Sequence, residues 1–179
     1  MRLKLNSMNE QRNTPPSKRR HPSFVRRGVL CLATLLLLGV GVSAQKRAVE
    51  TNDAPKAIGP YSQAIVANGF VFAAGQIGTD PKTGVLAEGV EAQVEHTLKN
   101  IAAVLKASGS SMENVVKATV FLSDINDFGK MNEIYGKHFK APFPARSTVQ
   151  VARLPRDAKI EIEVIALVGT GSGSGRVQK

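Results

Sequence analysis

The segment "KIEIEVIALV", Lys159 to Val168, constrains the fold more than any other part of the chain. Read as a strand, it places Ile160, Ile162, Val164, Ala166 and Val168 on one face. The other face begins with Glu161 and Glu163 and ends with Ile165 and Leu167. The first face needs a layer of helices. The apolar half of the second needs cover too, and two helices can cover only one face of a four- to five-stranded sheet. The expectation is a homo-oligomer that buries sheet against sheet.

The rest of the chain supplies the helices and the other strands. "YSQAIVANGFVFAAGQIG" is two apolar runs joined by Asn68-Gly69, a strong hairpin signal. Val94, Leu98, Ile101 and Leu105 recur at helical spacing between Val90 and Ala107, and Gly109 stands where the helix would stop. "NVVKATVFLSD" alternates as a strand with Val116, Ala118, Val120 and Leu122 on its apolar face. A second amphipathic helix follows, carried by Phe128, Met131, Ile134, Tyr135 and Phe139, and "APFP" ends it. "RSTVQVA" is a strand that turns through "RLPRDA" into the last one. The order β-β-α-β-α-β-β specifies an α+β domain with two helices packed on one mixed sheet.

Charge divides the chain in two. Residues 1–50 hold ten Lys/Arg and two Glu, whereas residues 51–179 hold fourteen Lys/Arg and twelve Asp/Glu. The high isoelectric point therefore belongs to the N-terminal segment and gives no nucleic-acid surface to the domain. That segment has a basic stretch, an uncharged run from Gly28 to Gln45, and small residues Val42 and Ala44 placed for cleavage after Ala44. Residues 1–44 are expected to be a leader. A secretory or periplasmic signal peptide fits the pattern; a retained membrane anchor and a mitochondrial presequence are the alternatives. Residues 45–57 are expected as a linker, 58–168 as the domain, and 169–179 as a flexible Gly/Ser-rich tail. The single cysteine, Cys31, lies in the apolar run, so the domain carries no thiolate metal site and no cysteine nucleophile.

"APFPARSTVQV" raises the question of chemistry. Alternation puts Arg146, Thr148 and Gln150 on one face of a strand, and a hairpin to the last strand would bring Glu161 and Glu163 onto that face. With Gln150 opposite Glu161, Arg146 would stand on the order of 13 Å from that glutamate, too far for an ion pair within one chain. Either Arg146 finds a carboxylate on a ligand or across a subunit boundary, or it faces water. A guanidinium suits a small carboxylate ligand, and a nearby glutamate can move protons to and from water.

"AIGPYSQA", "AAGQIG", "LKNIAAVLKASG", "NVVKATVFLSDINDF", "FPARSTVQVARLP" and "KIEIEVIALV" occur in that order across residues 53–168. Together they resemble the RidA (YjgF) family of reactive intermediate deaminases, in its archetypal imine-deaminating branch. The resemblance implies a homotrimer of chorismate-mutase-like subunits with clefts between neighbours. It also implies 2-iminobutanoate/2-iminopropanoate deaminase activity, a hydrolysis of C=N that needs no metal or organic cofactor. By the same resemblance Arg146 binds the substrate carboxylate and Glu161 positions or activates water. Tyr61 lines the cleft, the Gly75 backbone offers a hydrogen bond, Asn126 supports the site, and Thr148 stands where many relatives carry cysteine or another small residue. Ala74 replaces a serine common in relatives, which removes one hydroxyl from the ligand's surroundings.

Other features carry less. His96 and His138 have no partner at metal-ligand spacing and are expected to pack or face solvent. Gly75 and Gly78 lack the spacing of a phosphate loop, and Lys82–Gly84 is a turn. Two other functions stay open: a carboxylate-binding or chaperone-like trimer without turnover, and an RNA-cleaving protein. The near-neutral domain without a histidine pair gives the latter little support.

Overall fold

A computed structural model describes residues 46–169. The expected leader, and the tail beyond Gly169, lie outside the described residues. Within them run β1 (Arg47–Val49), β2 (Ala64–Ala67), β3 (Phe70–Ile77), α1 (Val90–Ala107), β4 (Val115–Leu122), α2 (Phe128–His138), β5 (Ala145–Gln150) and β6 (Ile160–Leu167). The six strands form one mixed sheet in the order β1-β2-β3-β6-β4-β5, with only β4 and β5 parallel. β6 enters between β3 and β4, a split βαβ arrangement, and both helices pack on one face.

The α+β architecture agrees with the sequence reading, and several boundaries follow from local chemistry. Asn68 and Gly69 both take positive φ, 49° and 78°, which a two-residue turn with the twist of the strands requires. α1 ends in a Schellman motif: Ser110 N–H donates to Leu105 O, Gly109 N–H donates to Lys106 O, and Gly109 sits at φ 79°. Val94, Leu98, Ile101 and Leu105 are fully buried against Val71 of β3, Ala118, Val120 and Leu122 of β4, and Ile160 and Ile162 of β6. His138 meets Glu95 at 2.8 Å, a tie between the two helices that gives this histidine a packing role.

The structure corrects three expectations. The linker contains a strand: β1 pairs antiparallel with β2, and buried Gln63 fastens the segment after it by donating to the carbonyls of Thr51, Ala54 and Pro55. Backbone bonding and one amide hold this edge, so no periodicity announced it. Val116 is exposed and Val115 buried, because the register slips between Val115 and Lys117 and reverses the alternation at the start of β4. Finally, β5 and β6 do not form a hairpin. β6, apolar on one face and half of the other, takes a central position. β5 is exposed along most of its length and lies at the edge, reached from β4 through α2 as a parallel neighbour.

The sheet face away from the helices is open in the single chain. Phe70, Phe72, Val149 and Leu167 are exposed on it, Phe72 by 46 %. This is the apolar half-face that the pattern of β6 left in need of cover.

Candidate functional site

β3 carries a bulge in which Ala74 and Gly75 together stand opposite Glu163, between the pairs Ala73 with Val164 and Gln76 with Ile162. The Ala74 N–H turns to the Gln63 carbonyl at 2.9 Å. The bulge brings the Gly75 backbone under the side chain of Glu161. A Cβ at residue 75 would overlap Glu161 Oε1, so only glycine leaves room for the carboxylate. Tyr61 stands nearby after the Gly59-Pro60 turn, its hydroxyl accepting from the Ile58 N–H at 3.3 Å. Tyr61, Gly75 and Glu161 line one cleft of about 640 Å³.

Glu161 is half-buried in this cleft, and its carboxylate makes neither a hydrogen bond nor an ion pair with any described residue. Burial, with a smaller contribution from the Glu163 carboxylate, holds its carboxyl above the usual glutamate value. Such a group exchanges protons more readily near neutrality than an exposed glutamate does.

Sequence reasoning missed part of the cleft wall. Lys56, Ile58 and Arg156 also line it. Arg156 sits at φ 58° beside Asp157 at φ 57°, and its Nη1 donates to the Gly84 carbonyl at 2.9 Å. Only the turn composition of "LPRDA" hinted at an unusual backbone there, and the residue types gave no sign that the turn faces a cleft.

Arg146 is elsewhere. The shared polar face expected for Arg146 and Glu161 does not exist: Arg146 pairs with buried Ala118 on the helix side, whereas Glu161 pairs with Phe121 on the open side. The missing hairpin explains the difference, since β4 lies between β5 and β6. Arg146 Nη2 donates to Asn132 Oδ1 at 2.7 Å, and its guanidinium lies over the rings of Tyr135, at 4.5 Å, and Phe128, at 5.6 Å. Among the described residues no carboxylate pairs with it. Thr148 lies on the same face, its Oγ1 buried and without a hydrogen-bond partner among the described residues. Asn126 is exposed in the turn after β4, with its N–H on Asp124 Oδ1 at 2.9 Å. The six expected residues thus form two groups: Tyr61, Gly75 and Glu161 in the cleft on the central strands, and Arg146 and Thr148 on the helix side of the edge strand β5, with Asn126 outside the cleft lining.

No group of acids, histidines or cysteines among the described residues could hold a metal ion. Among the same residues no helix is long and apolar enough to cross a membrane.

The model of the family described as "Endoribonuclease L-PSP" matches residues 51–168. The chain is 56 % identical over 125 residues to Reactive Intermediate Deaminase A, chloroplastic, of Arabidopsis thaliana, covering 69 % of this chain and 67 % of that one. It is 50 % identical over 125 residues to human 2-iminobutanoate/2-iminopropanoate deaminase, covering 69 % and 91 %. Among solved structures it resembles E. coli TdcF with bound serine, at 44 % identity and a TM-score of 0.65, over 69 % of this chain and 99 % of that one. With one family model spanning the whole domain and deaminases at half identity or better, the chain belongs to the Endoribonuclease L-PSP family, in its RidA group of reactive intermediate deaminases.

Proposed function

We propose that the chain hydrolyses 2-imino and 2-enamino acids, 2-iminopropanoate and 2-iminobutanoate among them, to 2-oxo acids and ammonia. It does so as a homotrimer with each site at a subunit boundary. The observation that carries this reading is Glu161, an unpaired, half-buried carboxyl held over the Gly75 backbone in a cleft with Tyr61. The names of the human and Arabidopsis relatives support the reaction class.

The chemistry needs little more. Arg146 of one subunit fixes the substrate carboxylate at the mouth of a neighbour's cleft, since within one chain it lies on the wrong face of the sheet. Glu161 takes a proton from water as the water oxygen bonds to the imine carbon, and passes it to the nitrogen, giving a carbinolamine. It then takes the hydroxyl proton as C=O forms and returns it to the nitrogen as the C–N bond breaks. The Gly75 backbone, Thr148 and Asn126 orient the ligand, and no metal or organic cofactor takes part.

The test is to generate 2-iminopropanoate with an amino-acid oxidase in the presence of semicarbazide and to ask whether the purified chain lowers the trapped product. Glu161→Gln is expected to keep assembly and carboxylate binding but lose most of the rate; Arg146→Ala loses carboxylate binding and the rate. Unchanged imine hydrolysis by Glu161→Gln would remove that residue from the mechanism.

The serine bound in E. coli TdcF favours a second reading, a carboxylate-binding or chaperone-like trimer without turnover. Carboxylate binding with no effect on the trapped product would select it. For residues 1–44 we propose a targeting leader, as a secretory signal peptide or an organellar presequence, and N-terminal sequencing of the mature protein decides between cleavage and retention as an anchor.

A further inference from the structure

Arg146 rests on a stripe of one helix. Phe128, Asn132 and Tyr135 recur at i, i+4 and i+7 along α2, so all three project toward the same side. Asn132 supplies the one hydrogen bond to the guanidinium from a described side chain, and Tyr135 supplies the closest ring, with Phe128 beside it. Tyr135 is 4 % exposed and stacks on Phe139 with centroids 4.3 Å apart, so this platform is anchored in the core. The hydrogen-bond acceptor and the two rings that hold the guanidinium are all uncharged, and no described carboxylate pairs with it.

That neutrality has a physical consequence. An arginine fork offers five N–H donors, and a carboxylate at position 132 would occupy two of them and cancel the charge. An amide oxygen fixes one nitrogen and leaves the charge in place. An aromatic face attracts the cation by roughly 0.5–2 kcal/mol without neutralising it. The cradle therefore fixes the orientation of the fork before a ligand arrives, which lowers the ordering cost of binding.

We propose that Asn132 and Tyr135 are positioning residues for carboxylate recognition. Asn132 holds the Arg146 fork through a neutral acceptor and the Tyr135 ring carries the cation, so its charge stays available to the substrate. This rests on the reading of Arg146 as the carboxylate-binding group.

The experiment compares Asn132→Asp, Asn132→Ala, Tyr135→Phe, Tyr135→Leu and Arg146→Ala in the full chain. It measures steady-state turnover of 2-iminopropanoate, and calorimetric binding of 2-oxopropanoate as a readout independent of turnover. Asn132→Asp keeps the size of the side chain and adds a charge beside the fork. It is expected to raise KM and the product Kd by about tenfold or more with kcat nearly unchanged, the signature of lost uniform binding. Asn132→Ala should raise them less, because it removes a bond without supplying a competing charge. Tyr135→Leu, which removes the ring beneath the cation, should weaken binding more than Tyr135→Phe, which keeps it. Equal effects of Asn132→Asp and Asn132→Ala, or parental affinity in Asn132→Asp, would overturn the inference while leaving Arg146 in its role. Parental affinity in Arg146→Ala would remove the underlying reading and the inference with it.

Discussion

The Glu161 carboxylate occupies the space that a side chain on Gly75 would take: a Cβ there would stand 2.7 Å from Glu161 Cδ and overlap Oε1. The two residues lie on neighbouring strands, and the bulge in β3 is what lets the backbone of one come so close to the acid of the other. The group that must yield to any substitution is therefore the candidate proton carrier itself, at the end of a flexible side chain.

Gly75→Ala separates activity from stability for that reason. Displacing a flexible carboxylate costs little folding energy, within about 1 kcal/mol, but it moves the acid off its position, and general acid–base contributions of 10²–10⁴ are the scale at risk. The expected result is a Tm close to the parent's with kcat/KM lower by about 10²-fold. Parental kcat/KM in Gly75→Ala would show that the position of Glu161 over the backbone does not matter.

Glu161 also leaves a signature in the pH dependence of stability. Burial raises its carboxyl above the ordinary glutamate value, so the folded state binds this proton more tightly than the unfolded state does. The stability this group contributes is present below the unfolded value and is lost as pH rises through the folded one. Glu161→Gln, which cannot ionise, is expected to melt higher than the parent at pH 7, with the difference closing as pH falls below the unfolded value. Parallel melting curves from pH 4 to 8 would contradict the strained, ionised carboxyl.

How much was legible in the sequence depended on whether the information was local. The ends of α1, the Asn68-Gly69 turn and the two unlike faces of β6 are set by neighbours in the chain, and the residue pattern showed them. The place of β5 is not local: the same "RLPRDA" connection could have closed a hairpin, and only the packing of α2 against the sheet sends β5 to the far side of β4. Arg146 was therefore put on the wrong face. Alternation separates Arg146 from Ser147 but cannot say which of them meets the helices, and at a sheet edge a polar side chain can reach aromatic rings there. Alternation and charge picked out Arg146 and Glu161, family resemblance alone gave them roles, and Asn132 looked like an ordinary exposed position on an amphipathic helix.

The open sheet face makes assembly testable without touching the site. Phe72 is paired with Ile65 and Ile165 on that face and is 46 % exposed, so Phe72→Glu should cost the single chain about 1 kcal/mol or less. In an assembly that buries the face, it places a charge in an apolar contact. Sedimentation velocity is expected to show folded monomer, with imine hydrolysis lost. A Phe72→Glu protein that keeps the parental mass would mean that the subunits meet through another surface.

The two faces of the sheet lead to the sharpest test of where the site lies. Arg146 projects toward α2 and Glu161 toward the open side, so one chain cannot aim both at the same small substrate. If each site takes Arg146 from one subunit and Glu161 from its neighbour, Arg146→Ala and Glu161→Gln are inactive alone but complement each other. In co-expressed mixtures of equal amounts, a given boundary receives an intact arginine and an intact glutamate in about a quarter of cases, and kcat per boundary should recover to that fraction. Rates in the mixture no higher than those of the separate variants, with mixed assemblies verified by mass spectrometry, would place both residues in the service of the same chain's site and require one of the two strands to move.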